Sequence, residues 1–426
     1  MKRLYRQAQI ASADSAQLQT ADVLVEGDKI IGVAAGIGAV DDAEVIDCAG
    51  RILLPAMFDL HVHAREPGQE EKENISTCAE AAINGGVTGF VMMPNTVPVI
   101  DNAGVVRTVL ERARRARIGP GIHTSGAITK GRKGEELAGI AGMKAAGCVL
   151  LTDDGSPVDN PQVLRRAMEY AREFDMPIAS HCEVRELSGK GCMHEGKVSY
   201  SLGLQGIPSI SEEICINRDI RLAEFTGVHL HIPHVTTAEG MDTIKRAKDR
   251  GIRVTCEVAP HHLIFNHEDI GDYDTHYKMR PPLRTPEDNA ALLQGLKDGL
   301  FDVIATDHAP HTPFEKNQDF ASAPFGITGL ETVLSSLHHH FISKGVFGWD
   351  VIVRHYSAGP RRLLKLPPVP VVEGGTAEFV VFNPARSTTF NRGFMKSKSL
   401  NTPFIGKTLE GMVERVIYHG AELLVR

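Results

Sequence analysis

With 426 residues, the chain exceeds one ordinary domain, so its length favours one large barrel with an appendage or two to three smaller domains. Hydrophobic residues make up 42% and charged residues 23%, an ordinary composition that argues against global disorder. A formal net charge of −7 removes any global electrostatic case for binding nucleic acid or an anionic membrane surface.

The sequence also lacks targeting and disulfide signals. No stretch approaches the roughly 20 apolar residues that span a bilayer, and no apolar segment follows the basic start to form a secretory signal. The seven cysteines are widely spaced and form no CxxC pair, which argues against a disulfide framework and a zinc ribbon. These features predict a cytoplasmic protein with reduced cysteines, most of them buried.

Both ends of the chain are predicted to be rich in β-structure. Residues 22–25 and 29–33 are apolar runs on either side of a turn that contains Gly27, a pattern typical of a β-hairpin. Near the other end, residues 374–384 contain a further strand between turn signals.

The middle of the chain alternates between strands and helices. Apolar runs that suit buried parallel strands occupy residues 58–61, 87–92, 122–127, 148–151, 177–180, 228–233, 253–258 and 302–306. Helical patterns run from Glu70 to about Asn84 and begin again near Asp101, Asn160, Ser211 and Asp288. Eight such alternations predict an α/β fold of the (β/α)₈ TIM-barrel type. A doubly wound open sheet is the alternative, but no GxGxxG or GxxxxGK[ST] motif supports it.

Several predicted strands end in histidine or aspartate, residue types that commonly bind metals. His61 and His63 are two residues apart and point to the same side of an extended chain. Alone, such a pair is more often a surface or core feature than a metal site. Later strands end with Asp153 and Asp154, with His181, with His234 and with Asp307. Because the carboxyl ends of barrel strands share one rim, these residues together predict a site for two divalent cations with a bridging carboxylate.

The motifs resemble those of the amidohydrolase superfamily and, more narrowly, the bacterial dihydroorotases. They read "DLHVHAREPG", "MPNT", "TDDGSPV", "SHCE", "HVTT", "EVAPHHL", "ATDHAPH" and "FGITGLET", and the resemblance extends from about Asp22 to Gly411. It implies a metallohydrolase barrel, here residues 56–364, that carries a small β-sandwich domain. Both chain ends build that domain, from residues 1–55 and 365–426.

The resemblance also implies the metal site. His61, His63, His181 and His234 would bind one or two Zn²⁺ ions per chain, and Asp307 would be both a metal ligand and the catalytic residue. A carboxylate in that place can take a proton from an activated water and deliver it to a leaving nitrogen. A helix N-cap is the alternative role for Asp307. Asp153 is expected to bridge the metals in place of the carboxylated lysine of many superfamily members, with Asp154 as the alternative.

Substrate contacts are implied in the same way, at His63, Arg65, Asn95, Arg280, His311, Phe325 and Gly326. The guanidinium group of Arg65 can bind a carboxylate of an anionic substrate through two hydrogen bonds. The amide of Asn95 can both donate to and accept from a ring imide. Arg280 stands where the family usually has an Asn. An arginine offers no acceptor, so we expect it to reach the substrate carboxylate; pairing with an acid on the rim is the alternative.

Three further features have less specific interpretations. Residues 312–325 are predicted to form a loop over the rim, and His261 and His262 are expected to be structural. The run from His338 to His340 lies in a predicted helix, where successive side chains diverge, so it is not expected to bind metal. The arginines of residues 112–117 are interpreted as a solvated helix face.

Taken with the resemblance, these residues predict a zinc-dependent dihydroorotase. It would interconvert N-carbamoyl-L-aspartate and (S)-dihydroorotate, the small-molecule substrates, in pyrimidine biosynthesis. One alternative is another cyclic amidohydrolase of the hydantoinase or allantoinase type. Another is a non-catalytic scaffold partner of aspartate carbamoyltransferase. The resemblance leaves open a homodimer and a complex with aspartate carbamoyltransferase.

Overall fold

A computed structural model describes residues 2–116 and 119–426. Its strands are β1 (Lys2–Ile10), β2 (Gln19–Glu26), β3 (Lys29–Ala34), β4 (Ala43–Asp47), β5 (Ile52–Pro55), β6 (Met57–Val62), β7 (Val87–Met92), β8 (Gly121–Gly126), β9 (Leu150–Thr152), β10 (Ile178–Ala179), β11 (Met193–His194), β12 (Gly206–Ile207), β13 (Leu230–Ile232), β14 (Val254–Val258), β15 (Val303–Ile304), β16 (Phe379–Thr389), β17 (Thr408–Tyr418) and β18 (Ala421–Val425).

The α-helices lie between and after the central strands. They are α1 (Ile75–Asn84), α2 (Ala103–Ala116), α3 (Ile140–Ala145), α4 (Pro161–Glu173), α5 (Arg185–Ser188), α6 (Lys197–Leu202), α7 (Ile210–Thr226), α8 (Ala238–Asp249), α9 (Pro260–Ile264), α10 (Pro286–Lys297), α11 (Pro313–Lys316), α12 (Val333–Leu337), α13 (Trp349–Ile352) and α14 (Gly359–Leu363). Short 3₁₀ helices span Lys130–Arg132, His267–Ile270 and Thr275–Tyr277, and π-helical turns span His338–Ile342 and Val353–Ala358.

Local sequence signals explain where the main helices begin. Asn74 caps α1 by accepting a hydrogen bond from the backbone N–H of Thr77, so this helix begins later than the predicted Glu70. Asn160 caps α4. Thr285 forms a capping box with Asp288 at the start of α10.

Eight parallel strands form the barrel. Their order is β6-β7-β8-β9-β10-β13-β14-β15, which is also their order along the chain. A parallel bridge between Val62 and His308 joins the last strand to the first, and the backbone N–H of His63 donates to the carbonyl of His308 at 2.9 Å. The predicted (β/α)₈ barrel is confirmed, and its C-terminal rim collects the residues that follow each strand.

Strands from both chain ends form a second sheet, in the order β18-β17-β16-β5-β1-β2-β3, with β4 paired to β1. The predicted hairpin is present as β2 and β3, which pair antiparallel. The apolar core of this sheet includes Tyr5, Leu53 and Phe379. Because β5 pairs with β16, the end of the N-terminal segment lies beside the start of the C-terminal one.

Several minor predictions can be compared with the described residues. The seven cysteines are buried free thiols. The ring of His338 stacks on Trp349, and its Nε2 lies 3.2 Å from the carbonyl of Pro384. Arg112 pairs with Glu66, whereas Arg117 lies outside the described residues. Among residues 2–116 and 119–426, no helix combines the length and apolar character needed to cross a membrane.

Candidate metal centre and active site

His61 and His63 reach the C-terminal rim from the end of β6. Nδ1 of His61 lies 2.8 Å from Oε1 of Glu257, and Nδ1 of His63 lies 2.9 Å from Oδ1 of Asn95. Carboxylate and amide oxygens accept hydrogen bonds, so each imidazole donates from Nδ1. The Nε2 atom of each ring is thereby kept for a different partner.

Asp154 is the aspartate that meets these histidines. Its Oδ1 lies 3.4 Å from Nε2 of His61, and its Oδ2 lies 3.4 Å from Nε2 of His63. Oδ1 is also 3.5 Å from Nε2 of His234 and 3.7 Å from Nδ1 of His181. Burial alone would raise the pKa of Asp154, but His61, His181 and His234 hold it well below its usual range. One ionised carboxylate therefore faces all four histidines.

Asp153, preferred from the sequence for this position, is held elsewhere. Its Oδ1 accepts hydrogen bonds from the backbone N–H groups of Ile128 at 2.8 Å and Thr129 at 3.2 Å, and its Oδ2 accepts from the Thr129 hydroxyl. Because these three donors hold the Asp153 carboxylate, it is not the one that faces the histidines. The structure gives that position to Asp154 and corrects the preference.

Asp307 follows β15 and completes the cluster. Its Oδ1 lies 3.0 Å from Nε2 of His63 and 3.4 Å from Nε2 of His61. Although burial raises the pKa of a carboxyl group, His61 and His63 hold the pKa of Asp307 well below its usual range. Asp307 is therefore ionised at neutral pH and is able to accept a proton.

Three residues of the site have left-handed backbone angles. The φ values are +62° at Arg65, +36° at His234 and +45° at Asp307. Such angles are uncommon outside glycine and cost on the order of 1–3 kcal/mol each. The surrounding fold maintains them at residues that carry candidate functional groups.

The donor set fits divalent cations. The ligand atoms of His61, His63 and Asp307 lie within 4.8 Å of one another, and so do those of His61, Asp154 and His234. Within the described part of the chain, Nε2 of His61 and Oδ1 of Asp154 are buried without a hydrogen-bond partner. Buried polar atoms are normally paired. A cation that accepts imidazole and carboxylate ligands supplies the missing partner.

Arg65 and His311 lie together on the rim and are buried. Nη2 of Arg65 is 3.3 Å from Nε2 of His311, and Nε of Arg65 donates to the carbonyl of Pro310 at 3.1 Å. Burial lowers the pKa of Arg65 to about 10, so its guanidinium remains charged at neutral pH. Asn95 reaches the same region through its contact with His63.

Arg280 pairs with an acid on the rim. Its Nε donates to Oε2 of Glu183 at 2.6 Å, and its Nη2 donates to Oε1. The same Oε2 lies 3.4 Å from Nε2 of His181, and the guanidinium lies 5.2 Å from the centre of the Phe325 ring. This pairing with an acid on the rim is the alternative that the sequence analysis gave for Arg280. The expected contact with the substrate carboxylate would require the guanidinium to leave Glu183. The physical reason for the pairing is the bidentate fit of a guanidinium to a carboxylate.

Residues 312–325, named the rim loop here, are tied down by two buried lysines. Nζ of Lys278 donates to the carbonyls of Phe320 at 2.7 Å and Ala321 at 2.9 Å. Nζ of Lys316 donates to the carbonyls of Pro324 at 3.0 Å and Gly326 at 3.2 Å. The loop is therefore an ordered part of the rim.

The backbone groups expected to meet the substrate already have partners. The N–H of Gly326 donates to the carbonyl of Lys278 at 2.9 Å, and the carbonyl of Phe325 lies 2.8 Å from Nε2 of His311. His262 is also engaged, since its Nε2 lies 2.9 Å from the carbonyl of Pro281. A substrate that used Phe325 or Gly326 would share or displace one of these hydrogen bonds.

Comparison with known proteins shows the family of the chain. Residues 50–240 match the family described as "Dihydro-orotase-like". The dihydroorotase of Caldanaerobacter subterraneus subsp. tengcongensis is 44% identical over 402 residues, which cover 94% of this chain and 93% of that protein. The dihydroorotase of Pelotomaculum thermopropionicum is 42% identical over 420 residues, covering 99% and 98%. The chain belongs to the dihydroorotase family.

Solved structures agree with the fold of this dihydroorotase-family chain. An L-hydantoinase (dihydropyrimidinase) from Arthrobacter aurescens has a TM-score of 0.87 at 22% identity, covering 100% of this chain and 96% of its own. A dihydropyrimidinase from Brevibacillus agri has a TM-score of 0.85 at 23% identity, covering 100% and 95%. At this level of identity the likeness shows the barrel fold alone.

Sequence reasoning missed three kinds of residue in this dihydroorotase-family site. Glu257 of β14 contacts Nδ1 of His61, although its motif "EVAPHHL" is among those that carry the resemblance. Glu183 in "SHCE" pairs with Arg280. Lys278 and Lys316 hold the rim loop. The sequence does show charged residues beside the strand ends. It does not show which residue each of them contacts.

Proposed function

We propose that this chain catalyses the reversible cyclisation of N-carbamoyl-L-aspartate to (S)-dihydroorotate, with zinc at the His and Asp cluster. The observation that carries the proposal is the convergence of four histidines, Asp154 and Asp307 on one rim. Two buried atoms of this cluster have no hydrogen-bond partner among the residues that the structure describes. Membership in the dihydroorotase family supports the choice of substrate. When bound, the metal polarises the scissile carbonyl and makes water a stronger nucleophile at neutral pH.

His61, His63, His181 and His234 would hold the metal ions, and Asp154, in place of Asp153, would bridge them. His61 is close to both aspartates and belongs to both groups of ligand atoms. Asp154 contacts histidines of both groups through its two oxygens. A carboxylate can serve two cations through its two oxygens, so no carboxylated lysine is needed.

Asp307 is the proton carrier in this proposal. It is ionised, and it lies beside the histidines at which water would be activated. In the hydrolytic direction Asp307 takes a proton from the attacking water and returns it to the ring nitrogen as the amide C–N bond breaks. In the synthetic direction the same proton moves in reverse.

Arg65 provides the recognition of an anionic substrate. Its guanidinium is charged, buried and next to His311, so a substrate carboxylate placed there meets a desolvated cation. Asn95 is held by His63, next to the metal ligands, and we assign its amide to the substrate ring. The fixed positive charge of Arg65 favours a ring that carries a carboxylate over hydantoin or allantoin.

A direct test compares turnover of dihydroorotate, hydantoin and allantoin by the same purified protein, with its metal content measured in parallel. We expect bound zinc and turnover of dihydroorotate at least about tenfold faster than of either neutral ring, which corresponds to a difference of ~1.4 kcal/mol in activation free energy. Faster turnover of hydantoin or allantoin would assign the chain to another ring-opening activity. A protein without bound metal or turnover would favour a scaffold role.

A further inference from the structure

A series of polar side chains runs from His61 into the interior of the barrel. Glu257 contacts Nδ1 of His61 through Oε1 at 2.8 Å and Nε2 of His231 through Oε2 at 3.0 Å. Nδ1 of His231 lies 3.0 Å from Oγ1 of Thr255. The same Oγ1 lies 3.0 Å from Nε2 of His229. Five side chains are thus hydrogen-bonded one after another.

Packing of the barrel interior does not require polar side chains at Glu257, His231 and Thr255. The interior of such a barrel is filled mainly by branched apolar side chains. Glu257 and His231 are 2% and 1% exposed, so both are removed from water. Residues two apart on a strand share a face. Thr255 and Glu257 of β14 therefore present one polar row toward His231 on the adjacent β13.

The carboxylate of Glu257 can only accept hydrogen bonds, and this determines which atoms next to it must donate. An ionised Glu257 forces His61 to donate from Nδ1 and His231 to donate from Nε2. Nδ1 of His231 then faces the hydroxyl of Thr255. The same hydroxyl also faces Nε2 of His229. The N–H groups of His61 and His231 that lie next to Glu257 both point at its carboxylate, and Nε2 of His61 faces Asp154 and Asp307 instead.

We infer that Glu257 is a positioning residue that fixes the tautomer and orientation of His61 as a metal ligand, and that His231 holds Glu257 in place for that purpose. The backbone N–H of His234 also donates to Oε1 of Glu257 at 3.3 Å. One carboxylate therefore orders two of the histidines of the site. The inference rests on the proposed metal site and adds a residue that acts through His61 without touching substrate.

The test measures zinc affinity by competition with a chromophoric chelator, in the full-length protein. Glu257→Gln should bind zinc roughly 10–100-fold more weakly, as removal of a partner of a metal-ligating histidine does elsewhere. A Gln carbonyl can still accept from His61, but it carries no charge, and His231 must take its other tautomer to accept from the amide NH₂. The charge-assisted hydrogen bonds to both histidines are therefore lost. The Co²⁺-substituted protein should show an altered visible spectrum in the same variant.

Two further variants separate positioning from simple packing. His231→Leu removes the donor to Glu257 and should also weaken zinc binding, whereas His231→Gln can place an amide N–H near the position of Nε2 and should stay within about threefold of the parent. Glu331→Gln is the matched control. Glu331 is as buried as Glu257, but it bonds to Asn84 and to the backbone N–H groups of Lys396 and Ser397. This control should leave zinc affinity unchanged.

The outcomes are distinct. Zinc affinity within threefold of the parent in Glu257→Gln, or equal loss in His231→Leu and His231→Gln, would overturn the inference. If Glu257→Gln does not fold, the two His231 variants decide. A parent protein that binds no divalent metal overturns both this inference and the proposed function. A parent that binds zinc and turns over dihydroorotate, with variants that match it, overturns this inference alone.

Discussion

Ionisable side chains are buried at two places on the rim of the barrel, and their hydrogen bonding differs. In the metal cluster, Nε2 of His61 and Oδ1 of Asp154 lack a hydrogen-bond partner among the residues that the structure describes. Beneath the rim loop, Nζ of Lys278 and Nζ of Lys316 each donate to two backbone carbonyls. A buried polar group left unpaired costs free energy. The cluster thus needs a cation, whereas the loop anchors are complete.

A binding site and a structural site on this rim differ in how their buried groups are paired. Both regions hold buried ionisable groups, so burial and charge alone do not separate them. What differs is that unpaired atoms and a set of cation ligands coincide in the metal cluster, whereas the chain itself pairs both lysines. Removing a residue from the cluster should therefore change metal content or turnover. Removing a loop anchor should change stability.

The largest effect should come from Asp307→Asn. The amide fills nearly the same space but cannot accept a proton, so turnover of dihydroorotate should fall by about 10²-fold or more while zinc stays bound. Turnover and zinc content would be measured on the same preparation. Asp319→Asn, at an exposed aspartate of the rim loop, is the control and should behave like the parent. Turnover within threefold of the parent would exclude Asp307 as the proton carrier.

A second effect should separate the two neighbouring aspartates. Asp154→Asn removes the carboxylate that faces four histidines, so we expect at least about tenfold weaker zinc binding, as for other losses around a metal. Asp153→Asn should retain zinc, because its carboxylate bonds to Thr129 and Ile128. Reconstitution of the parent with zinc should not depend on bicarbonate. Zinc loss confined to Asp153→Asn would restore the assignment made from the sequence.

Arg280 connects the two regions, since it pairs with Glu183 beside His181 and lies over Phe325 of the rim loop. Arg280→Ala leaves the Glu183 carboxylate without its cation, and that charge should repel an anionic substrate. Because Arg280 is about one-quarter exposed, with 27% of its side chain accessible, we expect a moderate rise in KM for dihydroorotate. The rise should be roughly fivefold to thirtyfold, or about 1–2 kcal/mol.

A double variant distinguishes this explanation from direct contact with the substrate. If Arg280 acts by neutralising Glu183, then Glu183→Gln combined with Arg280→Ala should recover most of the lost affinity. If Arg280 binds the substrate carboxylate itself, the double variant should remain as weak as Arg280→Ala. The second result would support the contact first expected from the sequence.

Much of the fold was predictable because its signals are local. Apolar runs predicted the barrel strands, and the end of α1 at Asn84 follows from the Gly85-Gly86 stop. Strand ends share one rim, so four histidines and Asp307 could be grouped without coordinates. These predictions required only periodicity and chain order.

The remaining details of the site depend on contacts between distant parts of the chain. The sequence could not choose between Asp153 and Asp154, because the choice depends on Thr129, which captures one carboxylate. Nor could it show that Glu257 reaches His61, some 200 positions away in the chain, through the closure of the barrel. Pairings of this kind are set by strand register and barrel shape, which no local pattern specifies.

The smallest effect should come from the loop anchor Lys316. Burial, together with the nearby Lys278, lowers the pKa of Lys316 to about 7, against 10.5 for an ordinary lysine. Between these two values the unfolded chain binds more protons than the folded one, so stability should rise with pH, by at most about 1.4 kcal/mol per pH unit. Urea unfolding at several pH values from 7.5 to 9.5 should show this slope in the parent. Lys316→Met should flatten it, whereas Lys133→Met, at an exposed lysine, should not. Parallel curves for all three proteins would show that the proton on Lys316 plays no part in anchoring the loop, and the contrast with the metal cluster would then rest on hydrogen bonding alone.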